Sequence, residues 1–429
     1  MKSPRSRLFA LLLTGLVISL FTPAPTALGA GDWVAVDLAG SLGLLVKGGT
    51  QGHMCVADAD SDGLSDVVLS RHGGDLWPLM QQNPDGTFTQ DYLFGPKNDR
   101  HSCTVGDYAG IAADGGYGPP DGLPDFYTTN GACHGTCTKA YPNNLYIQRP
   151  DGTFQDAAAA FGVDDPHGRG REAVTLDENN DGLDDLFLTN EISSTFLTSN
   201  RVFDNTGPGF VERVDPAATL SLASKCARAV DFNDDGRTDV VVCTPTRTYL
   251  LANTPTGFVD VRASFGLTAT QAYRDVAVAD FDGDGHADLA GIQATKFTVR
   301  LWRPTQTPWS TISYTLKLSQ GRAIAVGDMF GTGLTRDVYV VDGWVSGTSL
   351  QKPDWVLRWT GTSTAATFQT YQVPAPPQSN SSNPLDGQGD SVAMVPDWAG
   401  TGRDLAVVSN GAFTSGYYQA IHMQQTVTP

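Results

Sequence analysis

A short acidic phrase, written DFDGDGHAD at 280–288, returns throughout this chain and constrains its fold more than any other feature. Successive copies begin 49, 70, 54, 49, 48 and 69 residues apart. The seven first residues are Asp58, Asp107, Asp177, Asp231, Asp280, Asp328 and Asp397. A period of about 50 residues predicts an array of similar supersecondary units, each of which packs on its neighbours.

The spacing of acidic residues within one copy predicts a calcium loop. Asp280, Asp282, Asp284 and Asp288 stand at positions 1, 3, 5 and 9, and Gly285 stands at position 6. This is the front half of an EF-hand pattern, in which hard oxygen ligands surround Ca²⁺ and the glycine permits a sharp turn. The flanks are short and rich in Val, Ala and Leu, which predicts strands rather than the helices of an EF-hand. The loop therefore joins two antiparallel strands.

Three further copies carry the complete ligand pattern, and the other three depart from it. The predicted calcium ligands of the complete copies, besides those above, are Asp58, Asp60, Asp62, Asp66, Asp177, Asn179, Asp181, Asp185, Asp231, Asn233, Asp235 and Asp239. The second copy keeps Asp107, Asp121 and Asp125 around an insertion, and makes a fifth calcium site possible. The last two copies keep Gly333 and Gly402 but lose the ligands at positions 3 and 5, which predicts turns without metal. The alternative is that all seven are metal-free polar turns, although four such clusters of carboxylates would repel themselves without a cation.

The first thirty residues predict a secretory signal peptide. A basic start is followed by the 14-residue apolar run LFALLLTGLVISLF and by a small, Pro-rich stretch. This run is too short to span a membrane unaided, although a membrane anchor is the alternative interpretation. Residues 31–429 then form one secreted, monomeric array with 25 basic and 46 acidic residues, a charge of about −21. Such a chain should not bind nucleic acid, which requires a basic surface.

The repeated phrase resembles the FG-GAP (VCBS) repeat, as in the propeller of integrin α-subunits. The later half of the units agrees with this, since NPDGTF, RPDGTF, NTGPGF and NTPTGF begin at residues 83, 149, 205 and 253. The resemblance implies an all-β propeller in which each blade has four strands and calcium lies in the loop between the first two. Seven loops imply a seven-bladed β-propeller. The fold by itself implies no function.

The blade pattern assigns strands and predicts how the ring closes. In the fifth unit we expect strands at 273–279, 288–293, 296–302 and 311–318. The last unit has strands at 391–396, 404–409 and 416–424 and then lacks a fourth. The segment 32–38 can supply it as the outer strand of blade 7, which would remove the unpaired edges of an open array.

Six cysteines in an exported chain favour disulfide bonds. Fifteen connectivities are possible, and position in the expected strands favours Cys226–Cys243, Cys133–Cys137 and Cys55–Cys103. The first pair flanks the fourth loop, and the last pair holds similar places on adjacent inner strands. A thiolate metal site is the alternative, although CxxxC without a second close pair is weak evidence for zinc.

Basic residues recur near the start of the innermost strands, at the end of the ring opposite the acidic loops. Six residues before the first aspartate stand His101, Arg171, Lys225, Arg274 and Arg322, with His53 one place nearer in the first unit. The seventh unit departs, with Asp390 one place further away. A positive ring at the channel mouth would attract an anionic ligand. The alternative is that these bases pair with neighbouring acids such as Asp99, Glu172 or Asp275 and connect the blades.

Two functions remain open at this point. One is a secreted binding module for a glycan, an acidic small molecule or an extracellular protein, in which Trp344, Trp355 and Trp359 could stack on sugars or simply pack in the core. The other is a lyase, hydrolase or cyclase that uses His53, His101, Arg171 and Arg274. Five of the seven histidines (His53, His72, His101, His134 and His167) fall in the first three units, where they could be acid–base groups, metal ligands or surface residues. The absence of a separate catalytic domain favours binding.

Overall fold

The chain folds into seven four-stranded antiparallel sheets, which confirms the predicted seven-bladed β-propeller. In this computed structural model the described residues are 32–46, 52–71, 76–96, 99–131, 141–192, 198–215, 217–218, 223–267, 271–303, 313–342, 353–373, 389–410 and 417–426. Within each of the first six sheets the strands follow the chain from the innermost to the outermost. The innermost strands of consecutive blades contact one another in one closed cycle.

The first four blades contain the following strands. Blade 1 has β2 (Cys55–Ala57), β3 (Asp66–Val68), β4 (Trp77–Gln82) and β5 (Phe88–Phe94). Blade 2 has β6 (Arg100–Gly106), β9 (Asp125–Asn130), β10 (Asn144–Gln148) and β11 (Phe154–Asp156), with the small pair β7 (Gly110–Ile111) and β8 (Tyr117–Gly118) in its acidic loop and helix α1 (Ala158–Phe161) after its last strand. Blade 3 has β12 (Gly170–Leu176), β13 (Asp185–Asn190), β14 (Arg201–Asn205) and β15 (Phe210–Arg213). Blade 4 has β16 (Cys226–Val230), β17 (Asp239–Cys243), β18 (Thr248–Thr254) and β19 (Gly257–Asp260).

The remaining blades include the two ends of the chain. Blade 5 has β20 (Asp275–Ala279), β21 (Asp288–Gln293), β22 (Lys296–Arg300) and β23 (Tyr314–Lys317). Blade 6 has β24 (Gly321–Gly327), β25 (Asp337–Asp342), β26 (Trp355–Trp359) and β27 (Phe368–Gln372). Blade 7 has β28 (Gly389–Val395), a 3₁₀ turn (Trp398–Gly400), β29 (Leu405–Asn410) and β30 (Tyr417–Gln425). Its outer strand is β1 (Trp33–Asp37), which pairs antiparallel with β30.

The hydrophobic core is divided into seven layers, one between each pair of neighbouring blades. Adjacent residues of a second strand serve different layers, because successive side chains point to opposite faces of a sheet. In β3, for example, Val67 packs toward blade 7 and Val68 toward blade 2. A second strand therefore has no solvent-facing side, and all five residues of β17 are buried. This explains why an apolar run follows each acidic phrase.

The last aspartate of each acidic phrase, here called the closing aspartate, ties the loop to the blade. In the first six blades it begins the second strand, as Asp66, Asp125, Asp185, Asp239, Asp288 and Asp337. Its carboxylate accepts one backbone N–H at the start of the loop and another at the end of the third strand. For Asp66 these donors are Ala59 and Gln82, both at 2.8 Å. In blade 7 the carboxylate of Asp404 instead accepts from Asp397 and from Asp328 of blade 6.

A second set of contacts joins five of the seven loops to the next blade. In four of them, a Gln or Asn side chain at the end of a third strand forms a hydrogen bond with the backbone of the preceding blade's acidic loop, at its second or third residue. These contacts are Gln148 to the carbonyl of Ala59, Asn205 to that of Tyr108, Asn253 to that of Glu178, and the Ala399 N–H to Gln82. In blade 6 an aromatic contact takes this place, with Trp359 on Phe281 at 5.9 Å between ring centroids.

Two of the three predicted disulfides are present among the described residues, and the third pair, Cys133 and Cys137, lies outside them. Cys226–Cys243 joins directly paired positions of β16 and β17, with Cα atoms 4.9 Å apart. Cys55–Cys103 joins the innermost strands of blades 1 and 2, with Cα atoms 5.5 Å apart. Covalent bonds thus reinforce the inner part of the ring at two places.

Replacing the closing aspartate of blade 6 tests its structural role apart from metal, since this loop lacks the ligands at positions 3 and 5. Asp337→Ala should lower the free energy of unfolding by about 2–4 kcal/mol, because the buried N–H groups of Phe330 and Trp359 lose their acceptor. Urea unfolding would measure this. The exposed Asp91→Ala in β5 is the control and should change stability little. Equal stability of the two variants would contradict the assigned role.

A buried histidine in blade 7 predicts sensitivity to acid. His422 is 6% exposed and its ring packs on Trp398, and neither ring nitrogen has a hydrogen-bond partner among the described residues. Burial, and secondly the charge of Arg403, lower the pKa of His422 to about 4. As the pH falls, His422 is therefore protonated near pH 6.5 in the unfolded chain but only near pH 4 in the folded protein. Stability should fall over this range, by about 3 kcal/mol in total.

Thermal unfolding between pH 7 and pH 4 would measure the effect. His422→Leu should flatten the part of the pH dependence that this histidine causes, whereas His167→Gln, which changes an exposed histidine, should not. The same acid dependence in all three proteins would contradict the assignment.

Candidate functional site

The two ends of the propeller have opposite chemical character. The acidic loops connect first to second strands and lie at one end of the ring. The segments that enter the first strands, and the turns between second and third strands, lie at the other end. A cavity of about 820 Å³ opens at this second end.

The acidic loops keep one backbone geometry whether or not the full ligand set is present. The first aspartate accepts N–H bonds from the residues at positions 5 and 6, for example from Asp284 at 3.1 Å and Gly285 at 3.0 Å to Asp280. The equivalent bonds reach Asp328 from Thr332 and Gly333 in blade 6. Every position-6 glycine has a positive φ, such as +89° at Gly285, a conformation that glycine adopts without strain.

Two of the loops bring three predicted ligands together. Carboxylate oxygens of Asp58, Asp60 and Asp66 lie within 4.8 Å of one another, and so do those of Asp280, Asp282 and Asp288. Burial raises the pKa of the closing Asp66 and Asp288 to about 7. Burial and the neighbouring Asp62 also raise the pKa of Asp60. A hard cation would relieve this crowding of negative charge, and the all-oxygen donor set fits Ca²⁺.

The other predicted ligands occupy the same loop positions. Asp181 and Asp235 at position 5 each accept the N–H two residues later, as Asp62 and Asp284 do. In the second loop the insertion folds as the β7–β8 pair, and Asp121 and Gly122 still donate to Asp107. Burial raises the pKa of Asp125 to about 8. The second loop thus keeps the frame of the complete loops despite its insertion.

The cavity at the other end is lined by basic and imidazole side chains. His53, His101, Lys225, Arg274, Lys296 and Arg322 all contribute to its wall. The remaining lining residues are Gly52, Thr244, Pro245, Ala272, Tyr273, Gln293, Ala294 and Thr295. Among the described residues that line the cavity there is no aspartate or glutamate. The whole chain has a formal charge of −18, so this wall locally reverses the sign of the surface.

The structure brings most of the predicted basic ring to this cavity, but Arg171 is held differently. Its guanidinium forms an ion pair with Glu191 and contacts the imidazole of His101, and it is absent from the cavity lining. Glu191 also pairs with Lys225 at 3.3 Å. Burial raises the pKa of Glu191, but the charges of Arg171 and Lys225 outweigh burial and lower it to about 2. Glu191 therefore neutralises part of the predicted ring.

A network of charges crosses the channel next to His53. The Nδ1 atom of His53 contacts the buried carboxylate of Glu172, which also accepts from Arg228 at 2.8 Å. Arg228 in turn donates to Asp275 at 2.5 Å, and the other oxygen of Asp275 accepts the N–H of Ile324. The network therefore connects blades 1, 3, 4, 5 and 6.

The network determines the charge of His53. Burial lowers the pKa of His53, but the charge and hydrogen bond of Glu172 outweigh burial, so that the pKa is raised. Glu172 likewise has a lowered pKa, because Arg228 and His53 outweigh its burial. Sequence reasoning named Glu172 and Asp275 as partners for bases but missed Arg228 and Glu191. The available signal for Arg228 was a lone arginine among the small apolar residues of CARAV.

Arg274 differs from His53, His101, Arg171 and Lys225 because it forms no ion pair with a carboxylate among the described residues. It donates to the carbonyl of Gly321 at 3.0 Å, and among the described residues no carboxylate forms an ion pair with it. Burial, followed by the like charge of Arg322, lowers the pKa of Arg274. Its positive charge faces the cavity without compensation.

The remaining candidate residues lie elsewhere. Trp355 and Trp359 are half-buried and pack in the layer between blades 5 and 6, and neither lines the cavity. His167 is exposed and does not line the cavity. Trp344, His72 and His134 lie outside the described residues, and Asp390 lies in β28.

Fold and loops together define the class of this protein: a seven-bladed β-propeller whose blades carry an acidic, glycine-containing loop between their first two strands. Residues 231–291 match the family model of the FG-GAP-like repeat. The match begins in the acidic loop that follows β16 of blade 4 and ends within β21 of blade 5, and the predicted resemblance is confirmed. No helix among the described segments is long and apolar enough to cross a membrane.

Comparisons with known proteins agree on the repeat and on the fold. The chain is similar to human cartilage acidic protein 1, with 53% identity over 49 residues, which are 11% of this chain and 7% of that protein. The mouse protein of that name is 47% identical over 49 residues, 11% of this chain and 8% of that protein. The crystal structure of BBS1N in complex with ARL6DN is similar with a TM-score of 0.52 and 10% identity, over 90% of this chain and 98% of that chain. This last likeness concerns the fold alone.

Proposed function

We propose that this protein is a secreted, calcium-stabilised β-propeller that binds an anionic ligand, an acidic glycan or another acid, in the cavity opposite the acidic loops. The observation that carries this is the composition of the cavity wall. Six basic or imidazole side chains line it without a carboxylate among the described lining residues. A concave positive surface on an otherwise acidic protein concentrates anions and attracts them from a distance.

The electrostatic state of Arg274 supports an anionic ligand. Its charge is partly removed from water and lies close to Arg322, and both effects disfavour the charged form. An anion between these blades would relieve the repulsion and replace lost hydration with charge-assisted hydrogen bonds. A neutral ligand would leave this cost in place.

Calcium belongs to the proposal as a structural part. The four complete loops hold only oxygen donors at the predicted positions, with a fifth possible site at Asp107, Asp121 and Asp125. We place no metal in blades 6 and 7. Export fits the two disulfides, since such bonds form and persist in oxidising compartments.

The geometry favours binding over catalysis at this cavity. The charge and hydrogen bond of Glu172 raise the pKa of His53 and so favour its charged form, which is unsuited to the role of a general base. Arg171, a candidate for an enzymatic site, forms an ion pair with Glu191 and does not line the cavity. The binding function also leaves room for an extracellular protein that presents an acidic side chain or glycan.

Calcium removal should destabilise the protein. Metal that binds only the folded chain adds about 2.7 kcal/mol per site at a hundredfold excess over its Kd, so EDTA should lower the melting temperature substantially. Asp284→Ala should reduce the calcium stoichiometry in titration calorimetry by one. Thr332→Ala, at the equivalent position in blade 6, should leave the stoichiometry unchanged. An unchanged melting curve on protein shown to be metal-depleted would contradict the structural role.

Mutation of Arg274 should separate ligand affinity from stability. Arg274→Ala should weaken binding of an anionic ligand at least tenfold with little change in unfolding free energy, since no carboxylate among the described residues pairs with this charge. Arg171→Ala should instead cost roughly 2 kcal/mol of stability, because it leaves the half-buried Glu191 less compensated. An acidic-glycan array in calcium, followed by calorimetry of a bound glycan at rising salt, measures both effects. Binding that ignores both the mutation and the salt would contradict the proposal.

A further inference from the structure

The cavity wall is divided into a compensated side and an uncompensated side. On the side of blades 1, 2 and 4, each basic group has an acidic partner: Glu172 for His53, Asp99 for His101 and Glu191 for Lys225. On the side of blade 5 stand Arg274 and Lys296, and no described carboxylate pairs with either. Blade 5 therefore contributes two cations to the wall that no described carboxylate compensates in an ion pair, and Arg322 of blade 6 lies close to one of them, Arg274.

The two uncompensated charges come from neighbouring parts of one sheet. Arg274 immediately precedes β20, and its N–H donates to the carbonyl of Ile292 in β21 at 2.7 Å. Lys296 begins β22 and pairs with Gln293, at the turn that follows Ile292. Both side chains line the same cavity. A single anionic group that enters the cavity would gain most at this position.

The rest of the wall offers polar groups with little net charge. The turn of blade 5 adds the amide of Gln293 and the hydroxyl of Thr295, and blades 1 and 2 add the imidazoles of His53 and His101. Since Glu172 occupies Nδ1 of His53, the Nε2 atom is the ring nitrogen left for the cavity. Amide, hydroxyl and imidazole groups donate to or accept from sugar hydroxyls.

The size of the cavity favours an organic molecule over a simple ion as the ligand that fills it. Its volume of about 820 Å³ lies in the range of sites that enclose whole organic molecules rather than a single phosphate or sulfate. A matching ligand needs a hydroxylated body as well as a charged group.

We propose that the ligand is a sugar acid that binds in one orientation, with its anionic group on Arg274 and Lys296 and its hydroxyls toward Gln293, Thr295 and the two imidazoles. This inference rests on the proposed anion-binding function and adds the chemical class of the ligand and its orientation in the cavity. The anionic group supplies the affinity, and the hydroxyl contacts distinguish the sugar acid from a plain carboxylate.

Three probes test the proposal by titration calorimetry in calcium at low salt: a galacturonate trimer, its fully methyl-esterified form, and tricarballylate, which has carboxylates but no hydroxyl. The trimer should bind at least tenfold more tightly than either other probe. Lys296→Gln should lower the affinity for the trimer and for tricarballylate by similar factors, about fivefold. The double variant Gln293→Ala with Thr295→Ala should lower the affinity for the trimer and leave the affinity for tricarballylate unchanged. Lys317→Gln, an exposed lysine in the outer strand of the same blade, is the control and should change nothing.

The outcomes separate this inference from the function on which it rests. Equal binding of the trimer and tricarballylate, with no effect of the double variant, would overturn the sugar-acid class and leave anion binding intact. Equal binding of the trimer and its neutral ester, or no binding of any probe, would overturn the anion-binding function itself.

Discussion

The fold depends on a buried carboxylate that is used once in every blade. In the first six blades the closing aspartate joins the start of a loop to the end of the third strand through hydrogen bonds to backbone N–H groups, as Asp239 does with Phe232 and Asn253. Burial works against its charge and raises the pKa of Asp239 to about 7. The backbone donors offset this cost, and Asn253, which supplies one of these donors, also carries the side-chain amide that donates to the neighbouring loop at the carbonyl of Glu178. One interaction thus sets the geometry within a blade and the spacing between blades.

The sequence predicted the architecture because the repeated unit carries its signals locally. Acidic phrase, glycine and apolar run are adjacent in the chain, so the strands of blade 5 were placed within a few residues, as β21 shows at Asp288–Gln293. Cys226 and Cys243 could be paired because they flank one loop. What the phrase did not reveal was the second use of its last aspartate. The structural role persists in blade 6, where Asp337 remains although the ligands at positions 3 and 5 are gone.

The site was only partly predictable, because its charges are compensated across the ring. Residue register placed Lys225 and Arg274 at one end of the channel, but register does not show which acids reach them. Glu191 pairs with Lys225 of the next blade, and Arg228 joins acids of the blades on either side of its own. Such pairings depend on the diameter of the channel and on side-chain length. The difference between Arg171 and Arg274, equivalent in sequence, arises entirely from these neighbours.

The pairing of the first strand with the last has a consequence for how this protein is made. Strand β1 at 33–37 pairs with residues 421–425, so its partner leaves the ribosome only after the first six blades have been synthesised. During synthesis blade 1 has no neighbour on one side, and β1 presents unpaired backbone groups that could join another nascent chain. The first six blades can pack on one another in the order of their synthesis, but β1 can pair only after blade 7 has been made. Assembly therefore ends with a slow, long-range step, since contacts between distant residues must overcome the entropy of closing a very large loop.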